Sequence, residues 1–237
     1  VVAQVPIEYY KYEKGLMRPD GQPGFATPTG RVELWSTAYN QFGDDPLPYY
    51  IEPEFSPIDE HPEIKEEYPL VLTTGARVTA FFHSEGRQIE KLRDLCPDPL
   101  VEINPADAEK YGIKAGDWVR IENPWGVCFE KAKITPILKP GYIQAQHGWW
   151  FPEEDAEAPH LYGVWKSNIN TLIPHSRQGK LGFGAPFRTT LVKISKAQES
   201  DLAEADRIGL EGEDGKPIEH ADNFFRIDNP ELDPAAR

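Results

Sequence analysis

The sequence predicts a mostly β protein with short helices, built as a small barrel rather than as a βαβ sheet. The 23 prolines and 19 glycines among its 237 residues favour many turns and irregular connections over long helices. Short apolar runs recur along the middle of the chain, bounded by turn residues such as Gly, Pro and Asn. A hydrophobic fraction of 39% is enough to build a substantial core in a chain of this length.

Short strands are predicted throughout the body of the chain. The first is a continuous apolar run that leads into Gly75, and others alternate apolar with polar side chains. The residues Asn-Pro-Trp-Gly at 123–126 separate two of them and are typical of a hairpin. The predicted strands are 70–74, 100–103, 118–122, 127–134, 142–146 and 190–194.

Two short helices are predicted between these strands. Ser84 is expected to cap the N-terminus of the first helix. The apolar face of that helix comprises Ile89, Leu92 and Leu95. The second helix begins at Asn104-Pro105, an N-cap followed by proline at the first helical position, and ends at Gly112.

Four regions follow from composition. Residues 1–43 are rich in aromatic side chains and contain a turn at 25–30 and an alternating strand at 31–35. Residues 44–67 hold nine acids, one lysine and five prolines, which predicts an extended linker. Residues 68–196 form the structured body. Residues 197–237 hold twelve acids and four bases, which predicts an acidic tail that lies on a surface or is partly disordered.

Charge is distributed unevenly along the chain. The formal net charge is −14, yet residues 158–196 contain six Lys and Arg residues and no acid. Such a basic segment is suited to a bound anion, because phosphate oxygens favour cationic and N–H partners. The alternative is a basic face that balances acidic neighbours. The overall acidity makes nucleic acid an improbable partner, since duplex binding depends on neutralising phosphates.

The cysteines and histidines give no metal-binding pattern. Cys96 and Cys128 lie beside apolar or proline neighbours and are interpreted as buried structural thiols. The six histidines show no spacing typical of a metal site, so neither a metal ligand nor a catalytic residue is predicted. No apolar run approaches the roughly 20 residues that span a bilayer, and no direct membrane insertion is expected.

Several ordered motifs resemble one family. They are TPTGRVEL at 27–34, YPLVLTTG at 68–75, VEINPADA at 101–108, GIKAGDWV at 112–119, HGWW at 147–150 and NIN at 168–170. Together, over about residues 25–196, they resemble the C-terminal molybdopterin-dinucleotide-binding domain of the dimethyl-sulfoxide-reductase superfamily. The resemblance implies a six-stranded double-psi β-barrel at 68–196, preceded by the end of an upstream domain at 1–43. It also implies a bis-(pyranopterin guanine dinucleotide) cofactor with molybdenum or tungsten.

The resemblance, together with residue chemistry, selects the candidate cofactor contacts. They are Thr73, Thr74, Gly75, Ala76, Arg77, His83, Ser84, Arg87, Gln146, His147, Gly148, Trp149, Asn168, Asn170 and Arg188. Gly75 and Gly148 are expected to permit close backbone approach, and Arg87 is placed in the first turn of the predicted helix. Structural alternatives stay open for several of them: a satisfied histidine at His83, core packing at Trp149, and turn formation at the two asparagines.

Two departures from the family pattern stand out. Ala76 intervenes where relatives commonly read Thr-Gly-Arg, and the Asp-Pro that commonly follows Asn170 in relatives is missing here. The guanine contact is therefore expected to be reassigned or mediated by water.

The resemblance implies that the chain is the C-terminal part of a molybdenum or tungsten oxidoreductase, without activity alone. The metal ligand and a 4Fe-4S cluster would lie on another polypeptide or on missing N-terminal domains, and an electron-transfer subunit is a further possible partner. A prokaryotic origin is expected, with a cytoplasmic location, or a periplasmic one if a twin-arginine signal precedes the chain. The HGWWFP run at 147–152 leans towards formate dehydrogenase, thiosulfate reductase and acetylene hydratase.

Two other functions are alternatives. One is a cofactor-free double-psi barrel that acts as a protein-interaction or substrate-recognition module. The other is an independent hydrolase, for which no Gly-x-Ser-x-Gly signature is present.

Overall fold

A computed structural model describes residues 9–50, 52, 56, 58, 62–76, 78–157, 160–173 and 188–205. The chain divides into two compact units. The first comprises residues 1–51 with 178–184, and the second comprises residues 52–177 with 185–237. Most of the predicted tail, residues 206–237, lies outside the described residues, as do Arg77, Arg177 and Lys180.

The second unit is built on a closed six-stranded barrel, as predicted. Its strands are β1 (Leu70–Ala76), β2 (Leu100–Ile103), β3 (Trp118–Asn123), β4 (Gly126–Ile134), β5 (Tyr142–Gln146) and β6 (Thr190–Lys196). They follow one another around the barrel in the order β1-β5-β2-β4-β3-β6. The pairs β1–β5 and β2–β4 are parallel, and the other neighbours are antiparallel. This mixture of parallel and antiparallel pairs agrees with the predicted double-psi barrel. All six predicted strands are confirmed.

Alternating side chains fill the barrel interior. In β2 and β3 every second residue is buried, which places Val101, Ile103, Val119 and Ile121 in one apolar core. Full burial of one such side chain stabilises the fold by roughly 1.5–3 kcal/mol. Cys128 belongs to the same core, so its predicted burial is confirmed.

The second predicted helix is confirmed as α4 (Pro105–Lys110), in chain order after α1 (Thr37–Gln41), α2 (Pro62–Glu67) and α3 (Glu90–Arg93). The Asn104 side-chain oxygen accepts a hydrogen bond from the Ala106 N–H at 2.8 Å, and its amide donates to the Leu138 carbonyl at 2.7 Å. Gly112 follows with a φ of 65°. Because cap and stop signals act locally, the sequence was sufficient to place this helix.

The first predicted helix is wrong in its extent and its cap. Only Glu90–Arg93 is helical, and Ile89 occupies the N-cap position in place of Ser84. The preceding residues form turns, since His83 and Gly86 have φ values of 50° and 89° that an α-helix cannot include. Ile89 and Leu95 are exposed, so the expected apolar face does not pack.

Three further helices, α1, α2 and α5 (Glu199–Ala205), were not predicted. The last six residues of the expected linker form α2, which begins with Pro62 and Glu63 in its first turn. The start of the expected tail forms α5 (Glu199–Ala205), where the Asp201 carboxylate accepts a hydrogen bond from the Gln198 N–H at 2.7 Å. This hydrogen bond from an acid in the first turn to the residue before the helix is a local signal, which the acidic composition of the segment concealed.

The described residues of the first unit form turns and the short helix α1. The predicted turn at 25–30 is present, with a hydrogen bond from the Gly30 N–H to the Thr27 carbonyl at 3.0 Å. The strand predicted at 31–35 is wrong. The Glu33 carboxylate instead accepts bonds from the Thr29 and Thr37 hydroxyls, and these local contacts hold the segment in bends.

Among the described residues, no helix combines the length and apolar character that crossing a membrane requires.

Candidate functional site: a cavity at the end of the barrel

A cavity of about 410 Å³ opens where β1 and β5 end. The two strands are parallel neighbours, so their carboxyl ends meet at the same edge of the barrel. The lining residues come from five places in the chain: Thr74, Gly75, His83, His147, Gly148, Asn170 and Arg188. All seven are among the residues predicted from sequence, which the fold thus brings together.

Gly75 leaves open space on the cavity side of β1. The pairing of β1 with β5 is irregular between Thr73 and Ala76, where Ala76 comes to face Gln146. A Cβ atom added to Gly75 would find no heavy atom of the described residues within 4 Å. The backbone is therefore bare towards the cavity, and any larger side chain at this position would occupy the space that a ligand needs.

Gly148, in contrast, permits an approach between two parts of the protein itself. Its φ is 68°, and an added Cβ would lie 3.1 Å from the Ser84 backbone nitrogen. On the same edge, the His83 Nδ1 and His147 Nε2 atoms are 3.1 Å apart. The segments 83–87 and 147–150 thus touch along one wall of the cavity.

Arg87 is placed behind this wall and does not line the cavity. Its side chain is 2% exposed, and its guanidinium donates to backbone carbonyls of both segments. The guanidinium carbon lies 4.4 Å from the centre of the Phe81 ring and 4.9 Å from that of Trp149. Burial lowers the pKa of Arg87 to about 10.

Trp149 and Gln146 are also turned away from the cavity. Trp149 is 2% exposed and packs with Cys96 and Phe151 in a small apolar cluster, which also confirms the predicted burial of Cys96. Gln146 lines a second cavity, of about 320 Å³, instead. Its backbone N–H donates to the carboxyl of Glu130 at 3.1 Å.

Other predicted contacts have bonds within the protein. The Thr73 hydroxyl donates to the Gln144 side chain at 3.4 Å, and the Ser84 carbonyl accepts from the Trp150 indole at 2.6 Å. Asn168 caps a 3₁₀ turn (Ile169–Leu172) by accepting from the Asn170 N–H at 3.1 Å. The cap uses only the backbone of Asn170, and the Asn170 side chain is exposed and lines the cavity. Ala76 ends β1.

The lining has a cationic character. In the described part of the chain it includes Arg188 and two histidines but no acid, and Arg188 is exposed and has no ion-pair partner there. Three other cations of the basic segment are neutralised. Lys166 pairs with Glu154 at 2.6 Å, Lys193 with Glu122 at 3.1 Å and Glu67 at 3.2 Å, and Lys196 with Asp117 at 2.9 Å. For those three lysines the alternative of a balanced basic face is confirmed.

Glu130 was missed by the sequence reasoning. It lies on β4, is fully buried, and holds the backbone of Gln146 immediately before His147. Burial raises its pKa well above the ordinary value. The only available signal was an acid inside an apolar run, between Phe129 and Lys131. Among the described residues, no group of three or more His, Cys, Asp or Glu side chains could hold a metal ion.

Comparison with known proteins identifies the family. Residues 70–191 match the family described as "Molydopterin dinucleotide binding domain". The chain is 37% identical over 240 residues to a dopamine dehydroxylase of Eggerthella lenta, in an alignment that covers 92% of this chain and 23% of that protein. It is 33% identical over 188 residues to the dimethyl sulfoxide reductase DmsA of Escherichia coli, covering 75% of this chain and 22% of the relative.

A solved structure agrees with these matches. The acetylene hydratase from Pelobacter acetylenicus superposes with a TM-score of 0.68 at 31% identity, covering 76% of this chain and 25% of that one. The chain therefore spans about a quarter or less of the length of these relatives. With its six-stranded barrel and its matched residues 70–191, it belongs to the molybdopterin dinucleotide-binding domain family of the dimethyl-sulfoxide-reductase superfamily.

Proposed function

We propose that this chain binds and orients a bis-(pyranopterin guanine dinucleotide) cofactor of molybdenum or tungsten, as the C-terminal part of a larger oxidoreductase. The observation that carries this proposal is the cavity of about 410 Å³, which combines an open Gly75 backbone with Arg188. Among the residues that the structure describes, Arg188 has no ion-pair partner and the lining contains no acid. An anionic, flat ligand fits this chemistry, because its phosphates favour cationic and N–H partners and its rings need close backbone approach.

The lining residues have distinct roles in this proposal. Arg188 neutralises phosphate charge, and the Asn170 amide offers both a donor and an acceptor to a heterocycle edge. His83 and His147 offer imidazole nitrogens on the opposite wall, and Gly75 admits the ligand against β1. When bound, the cofactor supplies the metal centre and the redox chemistry. The protein binds it, fixes its orientation and excludes water from one side.

The remaining candidate contacts stay predictions. Those that have bonds or packing within the protein are Thr73, Ser84, Arg87, Gln146, Trp149 and Asn168. Each supports the cavity in this proposal by fixing the backbone or the packing behind it. Ala76 and Arg77 follow Gly75 in the chain, and contacts from them to the cofactor are proposed on the resemblance alone.

We further propose that the rest of a catalytic subunit, with the metal ligand and a 4Fe-4S cluster, packs against the first unit. Helix α1 buries none of its residues. Large apolar side chains are exposed throughout the described part of this unit: Tyr9, Tyr10, Leu16, Val32, Leu34, Trp35, Phe42, Tyr49 and Tyr50. Exposed large apolar side chains in this number favour an interface with another protein or domain. An electron-transfer subunit and a cytoplasmic or periplasmic location belong to the same proposal.

The experiment that tests the cofactor role uses Gly75→Val. Because no atom of the described residues lies within 4 Å of the added Cβ and valine favours strands, the variant should fold normally while the cavity is filled. We expect the purified assembly to lose at least about tenfold in molybdenum or tungsten and in oxidisable pterin per chain, which corresponds to about 1.4 kcal/mol of binding. Ser195→Val, at an exposed position on β6, is the matched control.

Full metal and pterin content in the Gly75→Val assembly would overturn the assignment of this cavity. An unmodified assembly that contains neither metal nor pterin would instead favour a barrel that acts as an interaction module.

A further inference from the structure

We propose that Arg87 is a positioning residue that fastens segment 83–87 to segment 147–150 and so holds His83 and His147 together at the cavity. This inference rests on the proposed function, because the two imidazoles matter as one wall of the cofactor cavity. It gives Arg87 a role that acts through other residues and does not require contact with a ligand.

The hydrogen bonds of Arg87 join two distant parts of the chain. One terminal nitrogen donates to the carbonyl of His83 and, at 3.4 Å, to that of Glu85. The other donates to the carbonyl of His147 at 3.5 Å. A planar guanidinium presents five donors in a rigid fork and can reach carbonyls on two sides at once, whereas an ammonium concentrates three donors at a single atom. Arg87 therefore connects both segments that carry the cavity histidines.

The surroundings of Arg87 show that its charge serves these carbonyls. The side chain is 2% exposed and its guanidinium lies against the rings of Phe81 and Trp149, and within the described residues it makes no salt bridge with a carboxylate. Burying a cation without an acid is unfavourable, in agreement with its pKa of about 10. An apolar side chain at this position would avoid the free-energy cost of burying a charge. The hydrogen-bond donors of the guanidinium are therefore what distinguishes arginine here.

Neighbouring contacts fix the same backbone. His83 has a φ of 50°, an unusual conformation for a residue other than glycine. Its carbonyl is held by Arg87, and the next carbonyl, that of Ser84, is held by the Trp150 indole at 2.6 Å. With both peptide planes fixed, the His83 ring is directed to His147, 3.1 Å away. Removing the guanidinium removes the hydrogen bond that fixes the first of these peptide planes, the one that carries the His83 carbonyl.

The test compares Arg87→Met, which keeps length and apolar bulk, and Arg87→Lys, which keeps the charge, with the original 237-residue chain. Ile121→Ala, in the barrel core, is the control for a general loss of stability. Imidazole ¹⁵N NMR reports the contact between His83 and His147, and hydrogen exchange reports the amides of both segments. Neither measurement requires the cofactor.

We expect both Arg87 variants to lose the imidazole contact and to exchange the amides of 83–87 at least about tenfold faster, while Ile121→Ala keeps both signals. An intact imidazole contact in Arg87→Met or, if that variant does not fold, in Arg87→Lys would overturn the proposal. Loss of the contact in Ile121→Ala as well would overturn it too, since the effect would then be general. Metal and pterin content of the unmodified assembly, measured separately, tests the cofactor role alone.

Discussion

Replacing Glu130 by glutamine should change the pH dependence of stability. Glu130 is the carboxyl that β4 places inside the barrel, where it is fully buried. One of its oxygens accepts the Gln146 N–H at 3.1 Å, and the other has no hydrogen-bond partner among the described residues. Burial raises the pKa of Glu130 well above its ordinary value, so the folded protein keeps this carboxyl protonated to a higher pH than the unfolded chain does.

The magnitude follows from proton linkage. In the unfolded chain a glutamate loses its proton near pH 4.3, whereas the folded protein retains it. Above that pH the unfolded state therefore binds fewer protons, and the free energy of unfolding falls by up to about 1.4 kcal/mol per pH unit until the folded pKa is reached. Glu130→Gln accepts the same hydrogen bond without titrating. Above about pH 4.3 the variant should therefore gain stability relative to the original chain as the pH rises, by up to about 1.4 kcal/mol per pH unit until the folded pKa is reached.

Urea unfolding followed by tryptophan fluorescence at pH 5, 6, 7 and 8 measures this difference. Glu109→Gln, on the exposed side of α4, controls for the removal of one acid and should not reproduce the slope. If the free energies of the original chain and Glu130→Gln change in parallel over this range, the carboxyl is ionised in the folded barrel. The reasoning from burial would then be refuted.

Two further substitutions test local structure. Asn104→Ala removes the cap of α4 and the bond to the Leu138 carbonyl, and we expect it to lower the free energy of unfolding by about 1–2 kcal/mol in urea titrations, with unchanged cofactor content. Gly148→Ala adds a Cβ at a φ of 68° and 3.1 Å from the Ser84 nitrogen, and we expect a loss of about 1–3 kcal/mol together with weaker cofactor retention. Equal stability of Gly148→Ala and the original chain in thermal unfolding would show that this segment is not held as described.

The strands and α4 could be predicted because their signals are local. The apolar run at Leu70–Ala76 and the alternation in Trp118–Asn123 need no knowledge of the neighbouring strands. The order of strands around the barrel could not be predicted in this way, because it pairs residues far apart in the chain, such as Val71 with Tyr142. Residues 31–35 show the converse: an alternating pattern forms no strand when no other strand pairs with it.

The candidate site was predictable in its residue types but not in its orientations. Family resemblance selected the loops, and all seven lining residues were among those chosen. Arg87 was placed at a helix N-terminus facing an anion, but the helix begins at Glu90 and the guanidinium is buried against Phe81 and Trp149. The φ values of His83 and Gly86 are incompatible with an α-helix at these residues. They depend on contacts with the segment around Gly148, so they cannot be predicted from the local sequence.

The basic segment at 158–196 shows why charge along a sequence is a weak guide to charge in space. Its gap in acidic residues is filled in the fold by acids from elsewhere, which pair with Lys166, Lys193 and Lys196. A neutralised lysine contributes little to the field at a distance, because the paired charges largely cancel. Arg188 differs because it lies at a cavity without acidic lining. The attraction for an anion should therefore depend on Arg188 far more than on the net charge of the segment.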